Sequence, residues 1–131
     1  MTNLDILEIC KRLKINNFKG VYMRDELKGK ANHDESLILN MDESSGNGTH
    51  WTSLLVTKNC SFYFDSFGLP PPKEVINYCP DHSRYYNTFK IQKPEEVICG
   101  HYCIYVLYKL SLAKGVHLLS RVLFSVLSLK L

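Results

Sequence analysis

The residues that could carry chemistry converge on Cys99. It stands between the polar stretch Ile91-Gln92-Lys93-Pro94-Glu95-Glu96-Val97-Ile98 and the apolar run Ile104-Tyr105-Val106-Leu107-Tyr108-Lys109-Leu110. That run reads as a helix buried all round. A cysteine at the start of such a helix meets the positive end of the backbone dipole, which favours the thiolate. Upstream, His50 and Asp65 are each expected at a strand end. Cysteine, histidine and an acid are the parts of an activated thiol nucleophile: a sulfur that attacks, an imidazole that moves the proton, and a carboxylate that orients the ring. The ordinary alternative for a free cysteine is inert core packing. Which reading holds depends on whether the chain can bring the three side chains together.

The elements around them suggest that it can. Asp42 to Thr49 is the most turn-rich stretch and delivers His50 at the head of a strand, residues 50–56. Lys58-Asn59 turns the chain into a second strand, 61–65, which ends in Asp65. With so short a connection the pair reads as an antiparallel hairpin, so the head of one strand and the end of the next fall at the same end of the sheet. Before this hairpin, residues 3–14 carry Ile6, Ile9, Cys10 and Leu13 at helical spacing, with Asn3 as the expected N-cap. Phe18 to Leu27 reads as a mixed segment turning at Gly20, Gly29 to Asp34 as a polar loop, and residues 36–41 as a buried strand. After the hairpin, Ser66-Phe67-Gly68-Leu69 turns the chain away. Pro72 is expected in the first turn of a short helix through Tyr78. Residues 85–91 read as a strand, the Cys99 helix runs to about Ala113, and Gly115 stops it. A last amphipathic helix is expected over 116–130, with Leu119, Val122, Leu123, Val126 and Leu127 on its apolar face.

The whole chain sets the frame. Its 131 residues suit one domain, residues 1–131, with one core. Residues 1–65 carry eight bases and nine acids, residues 66–131 eight and four, with no block of like charges. A solvated surface explains this balance better than a nucleic-acid interface. Five cysteines, an odd number without a C-x-x-C pair, favour free thiols in a reducing compartment. The start Met1-Thr2-Asn3-Leu4-Asp5 has no basic, apolar signal pattern, which adds to the expectation of an intracellular location. The most apolar stretch, 116–131, contains His117, Arg121 and Lys130, so no membrane span is expected. A Cys99–Cys103 metal pair lacks a second pair of ligands nearby, and neither a metal nor a cofactor is expected.

Three motifs carry a resemblance. Gly48-Thr49-His50-Trp51, then Tyr63-Phe64-Asp65-Ser66-Phe67-Gly68, then Gln92-x-Pro94-x-x-x-x-Cys99-Gly100-x-Tyr102-Cys103 resemble the adenovirus protease family, most of all the versions encoded by Maverick/Polinton transposons and related viruses. The wider superfamily includes the SUMO-specific proteases. Each motif is weak alone, but the order His, Asp, Gln, Cys at fitting spacings is specific. The resemblance covers roughly residues 18–110.

It implies an α+β fold: a small mixed or antiparallel sheet with a buried central helix carrying the nucleophile at its N-terminus, flanked by helices. It implies a cysteine endopeptidase in which Cys99 is the nucleophile, His50 the general base and Asp65 the third member. Gln92 and the Cys99 backbone N–H would form the oxyanion hole. The adenoviral branch carries glutamate where this chain has Asp65, whereas the SUMO proteases carry aspartate. Trp51 is expected to wall the site and Gly100 to admit a substrate backbone. A protein or peptide cut at a glycine-containing site is the implied substrate, as in the processing of viral or transposon capsid precursors. The alternatives are removal of ubiquitin-like modifiers, or a binding module that kept the fold and lost turnover. A monomer in the host nucleus or virion is the implied setting. DNA and an activating peptide are partners by resemblance only, and Cys79 falls in the region where a disulfide to such a peptide would lie. Cys103, one turn after Cys99, is expected to pack in the core.

Overall fold

The computed structural model describes residues 1–46, 50–93 and 98–112. The expected helix over 116–130, its stop at Gly115, the Pro94 loop and the Gly48-Thr49 approach to His50 lie outside the described residues.

Five strands form one mixed sheet in the order β1-β2-β3-β4-β5: β1 (Phe18–Met23), β2 (Glu35–Asn40), β3 (Trp51–Val56), β4 (Cys60–Phe64) and β5 (Ser83–Tyr86). The outer pairs, β1 with β2 and β4 with β5, are parallel, and the inner pairs are antiparallel. Side chains alternate across the sheet with period two. Ile38, Phe62 and Phe64 point into one core, where α1 (Asn3–Arg12) and α3 (Cys99–Leu112) pack with Ile6, Cys10, Cys103, Val106 and Leu107. Leu37, Leu39, Leu54, Val56 and Tyr63 point into a second core closed by Val75 and Tyr78 of α2 (Lys73–Tyr78). Coverage on both faces explains why β2 and β4 are buried at every position, the polar Glu35, Ser36 and Asn40 of β2 included. The expected α+β architecture, with a central helix against the sheet and helices flanking it, is the one observed.

Several local expectations needed correction. The N-cap of α1 is Thr2, not Asn3: the Thr2 side chain accepts from the Asp5 N–H while Asp5 reaches back to the Thr2 N–H. Gly20 does not turn the chain. It sits inside β1, where the pairing with β2 slips by one residue and φ is +145°. Pro72 is the N-cap of α2 rather than part of its first turn. The strand expected over 85–91 is shifted to Ser83–Tyr86. Helix α3 is not buried all round: His101 and Leu112 are exposed, and Tyr105, Tyr108 and Lys109 half-buried, because α1 and the sheet cover only part of its circumference. Among the described residues no helix is long and apolar enough to cross a membrane.

Candidate functional site

The β3–β4 hairpin sets the site. Its register pairs Ser53 with Phe64 and Val56 with Ser61, so the residues just outside it, His50 before β3 and Asp65 after β4, meet at the same end. Nε2 of His50 lies 2.7 Å from Oδ1 of Asp65. The His50 carbonyl accepts from the Met41 N–H at 2.7 Å, which holds the residue to the end of β2. The Phe67 ring lies against the imidazole, centroids 4.7 Å apart.

Asp65 is 2% exposed and held from several directions. Its Oδ1 accepts from the Phe67 N–H at 2.8 Å as well as facing His50. Its backbone is clasped by Asn87, whose Oδ1 accepts from the Asp65 N–H at 3.0 Å and whose Nδ2 donates to the Asp65 carbonyl at 2.6 Å. Gly68 closes the turn at φ +71°, and a Cβ there would come within 2.8 Å of the Thr88 carbonyl oxygen, so glycine is needed for both conformation and space.

Cys99 is the first residue of α3 and 7% exposed. Burial pushes its thiol up. A hydrogen bond with His50 and the backbone N–H groups of Trp51 and Gly100 outweigh burial, and the thiol lies below its ordinary value. Burial also pulls the His50 imidazolium down, but its bonds to Asp65 and Cys99 reverse this and raise it to about 9. With Nε2 on Asp65, Nδ1 is the nitrogen left for the sulfur. The two shifts are opposite because a hydrogen bond shared by a thiol and an imidazole favours the charged form of each.

Three other thiols differ. Burial raises Cys10 to about 11, and burial raises Cys79 and, far more, Cys103. All five cysteines are free and buried. Cys79 packs in the second core at 3% exposure, so its sulfur is not presented for a surface disulfide. Cys103 packs in the first core, fully buried, as its position suggested. Among the described residues no group of three or more His, Cys, Asp or Glu side chains is placed to hold a metal ion.

Gln92 is 2% exposed, and its Oε1 accepts from the Ser66 hydroxyl at 2.5 Å. Trp51 donates from Nε1 to Asn3 Oδ1 at 3.0 Å and lines, with Asn3, Met23, Asn40 and Ser44, a cleft of about 460 Å³. Gly100 has a packing reason for its missing side chain: it is buried, and a Cβ would meet Met1, Ile6 and Trp51 at 3.1–3.4 Å. Two supporting residues, Ser66 and Asn87, escaped the sequence. Ser66 follows Asp65 directly, which was the only available hint, and nothing in the sequence signals Asn87.

The fold has a counterpart among solved structures. The chain aligns with the crystal structure of the ASFV pS273R protease at a TM-score of 0.60 and 17% identity, covering 91% of this chain and 60% of that one. The selenomethionine form of the same protease gives 0.54 and 16%, covering 92% and 61%. The chain has the SUMO-protease-like fold. It spans about 60% of the length of these neighbours. No protein-family model and no curated protein matches the sequence.

Proposed function

We propose that the chain is a cysteine endopeptidase that uses Cys99, His50 and Asp65, with Gln92 as an oxyanion donor. One observation carries the proposal: the Cys99 thiol is bonded to the histidine that Asp65 holds at 2.7 Å, and that bond helps shift it downward. The fold shared with a protease supports it.

In this reading the Cys99 thiolate adds to the scissile carbonyl carbon and the carbonyl oxygen becomes an oxyanion. The Cys99 N–H and the Gln92 side-chain amide donate to that oxygen. Collapse breaks the C–N bond, and the His50 imidazolium gives its proton to the departing amine. Water then attacks the thioester, His50 takes a proton from it, and the thiolate leaves with the acid product formed. Asp65 stabilises the imidazolium and fixes the ring with Nε2 toward itself.

The substrate is a protein or peptide. The motifs shared with the adenovirus and transposon proteases point to glycine-containing cleavage sites in capsid precursors. The cleft lined by Trp51, the residue that follows His50, offers an extended peptide a place to bind. Incubation with a panel of Gly-Gly-containing peptides, beside SUMO and ubiquitin fusions, tests this. Cleavage after or between the glycines of unfolded peptides, with the Cys99→Ala variant inert, is the expected result. Cleavage confined to the fusions would move the assignment to removal of ubiquitin-like modifiers. No cleavage together with an unreactive Cys99 would leave a binding module.

A further inference from the structure

Ser66 joins the acid corner to Gln92 through three hydrogen bonds. Its hydroxyl donates to Gln92 Oε1 at 2.5 Å. Its carbonyl accepts from the backbone N–H groups of Ile91 and Gln92 at 2.9 and 3.0 Å. Ser66 is 0% exposed and Gln92 2%, so these bonds form away from water. A glutamine amide carries an acceptor oxygen and a donor nitrogen at opposite ends of one plane, and rotation by half a turn exchanges them. Only the nitrogen end can stabilise a developing oxyanion. The oxygen end would face negative charge with a lone pair. Here Oε1 accepts the proton of the Ser66 hydroxyl, and the two backbone bonds to the Ser66 carbonyl tie the same residue in place.

We infer that Ser66 is a positioning residue that anchors the Gln92 side chain, so that its amide is held in place before an oxyanion develops. The inference rests on the proposed protease reading, in which Gln92 serves the oxyanion hole. Donors fixed before the reaction need no reorganisation when charge develops. A serine adjoining Asp65 therefore couples two halves of the site: the turn that fixes the acid also fixes the amide.

Two small reagents separate this role from general support of the fold. Iodoacetamide alkylates a thiolate by displacing iodide, with no oxyanion. With p-nitrophenyl acetate the thiolate adds to the ester carbonyl, an oxyanion forms, and p-nitrophenolate leaves an S-acetyl cysteine. Ser66→Ala is expected to slow acetylation of Cys99 about tenfold, on the order of one lost hydrogen bond to a working donor. Its alkylation at pH 6 should stay within about twofold of the parent, since the thiolate pair is untouched. Ser66→Thr, which keeps the hydroxyl, should restore acetylation. The double variant Ser66→Ala with Gln92→Ala should be no slower than Gln92→Ala alone, because the serine acts through that amide. Equal slowing with both reagents would make Ser66 a merely structural residue and overturn the inference. So would a Ser66→Ala variant that acetylates normally while Gln92→Ala is slow. If Gln92→Ala acetylates normally, or Cys99 reacts no faster than the other thiols, the protease reading itself falls and takes this inference with it.

Discussion

Cys99 and Cys103 are one helical turn apart on α3, both buried, and their thiols are shifted in opposite directions. Burial acts on both in the same sense, since a low-dielectric setting disfavours the charged sulfur. The difference lies in what reaches each atom. Cys99 meets the His50 ring and the N–H groups of Trp51 and Gly100, all of which favour the thiolate. Cys103 Sγ instead donates to the Trp51 carbonyl at 3.2 Å, which keeps the proton on sulfur. Residue 51 thus offers a donor to one cysteine and an acceptor to the next. A buried thiol becomes a nucleophile through its hydrogen-bond partners, and depth alone makes it inert.

The largest expected effect falls on the first turn. Cys99→Ala should reduce peptide cleavage on the order of 10⁶-fold, to whatever binding and oxyanion stabilisation can do alone. Residual turnover within tenfold of the parent would place the nucleophile elsewhere. His50→Ala should follow, and its signature is a change of pH profile. Activity requires Cys99 deprotonated and His50 protonated. The rate should therefore rise as pH passes the lowered Cys99 value and fall as pH passes about 9, where His50 loses its proton. Iodoacetamide reports the acid side alone. In the parent, Cys99 should label first at pH 6, ahead of Cys10, Cys60, Cys79 and Cys103, as peptide mass mapping would show. His50→Ala should slow that labelling by about tenfold or more at pH 6 and little at pH 10, because the variant thiol loses its cationic partner. A variant that labels like the parent at pH 6 would mean that His50 does not hold the thiolate.

Asp65→Asn comes next, with turnover lower by on the order of 10²-fold or more. The amide supplies no charge to the imidazolium, so His50 should titrate lower and the alkaline limb should move toward neutral pH. Asp65→Glu should retain appreciable activity. Equal kcat/KM in Asp65→Asn and the parent would remove Asp65 from the site.

The legibility of these parts follows the range of the interactions that make them. The His50–Asp65 corner could be read because a hairpin is local: turn residues, alternating strands and a short connection fix which residues meet. The dipole at Cys99 is equally local. Strand β1 was missed because Phe18–Met23 contains Gly20 and does not alternate cleanly; its pairing with β2 comes from tertiary context. For β5, the alternating Phe89 and Ile91 after Asn87 imitated a strand, whereas the ladder with β4 uses the exposed Ser83–Tyr86. The break falls at Asn87 because its side chain binds the Asp65 backbone across 22 residues. The Ser66–Gln92 bond spans 26 residues and has no periodic signal at all. Motif resemblance named Gln92, and only the fold reveals what holds it.

The smallest expected effect tests the other half of the comparison. Cys103→Ala removes a fully buried sulfur from the core formed with Ile6, Cys10, Val106 and Leu107, and with it the bond to the Trp51 carbonyl. The cost should be about 1–2 kcal/mol of stability, from a small cavity and one weak donor. Denaturant unfolding would measure it as a shift in midpoint without a change in slope. Cys103→Ser should replace the donor but bury a more polar group, so it should cost a similar amount. In both variants the alkylation rate of Cys99 at pH 6 should stay within about twofold of the parent, because His50 and the N–H groups that hold the thiolate do not involve Cys103. The raised Cys103 thiol makes the same point from its own side, since a proton-bearing sulfur contributes no charge to the pair. If Cys103→Ala slows Cys99 alkylation as much as His50→Ala does, the two turns of α3 are coupled through the Trp51 peptide. The contrast between them would then be a property of one shared network rather than of two separate environments.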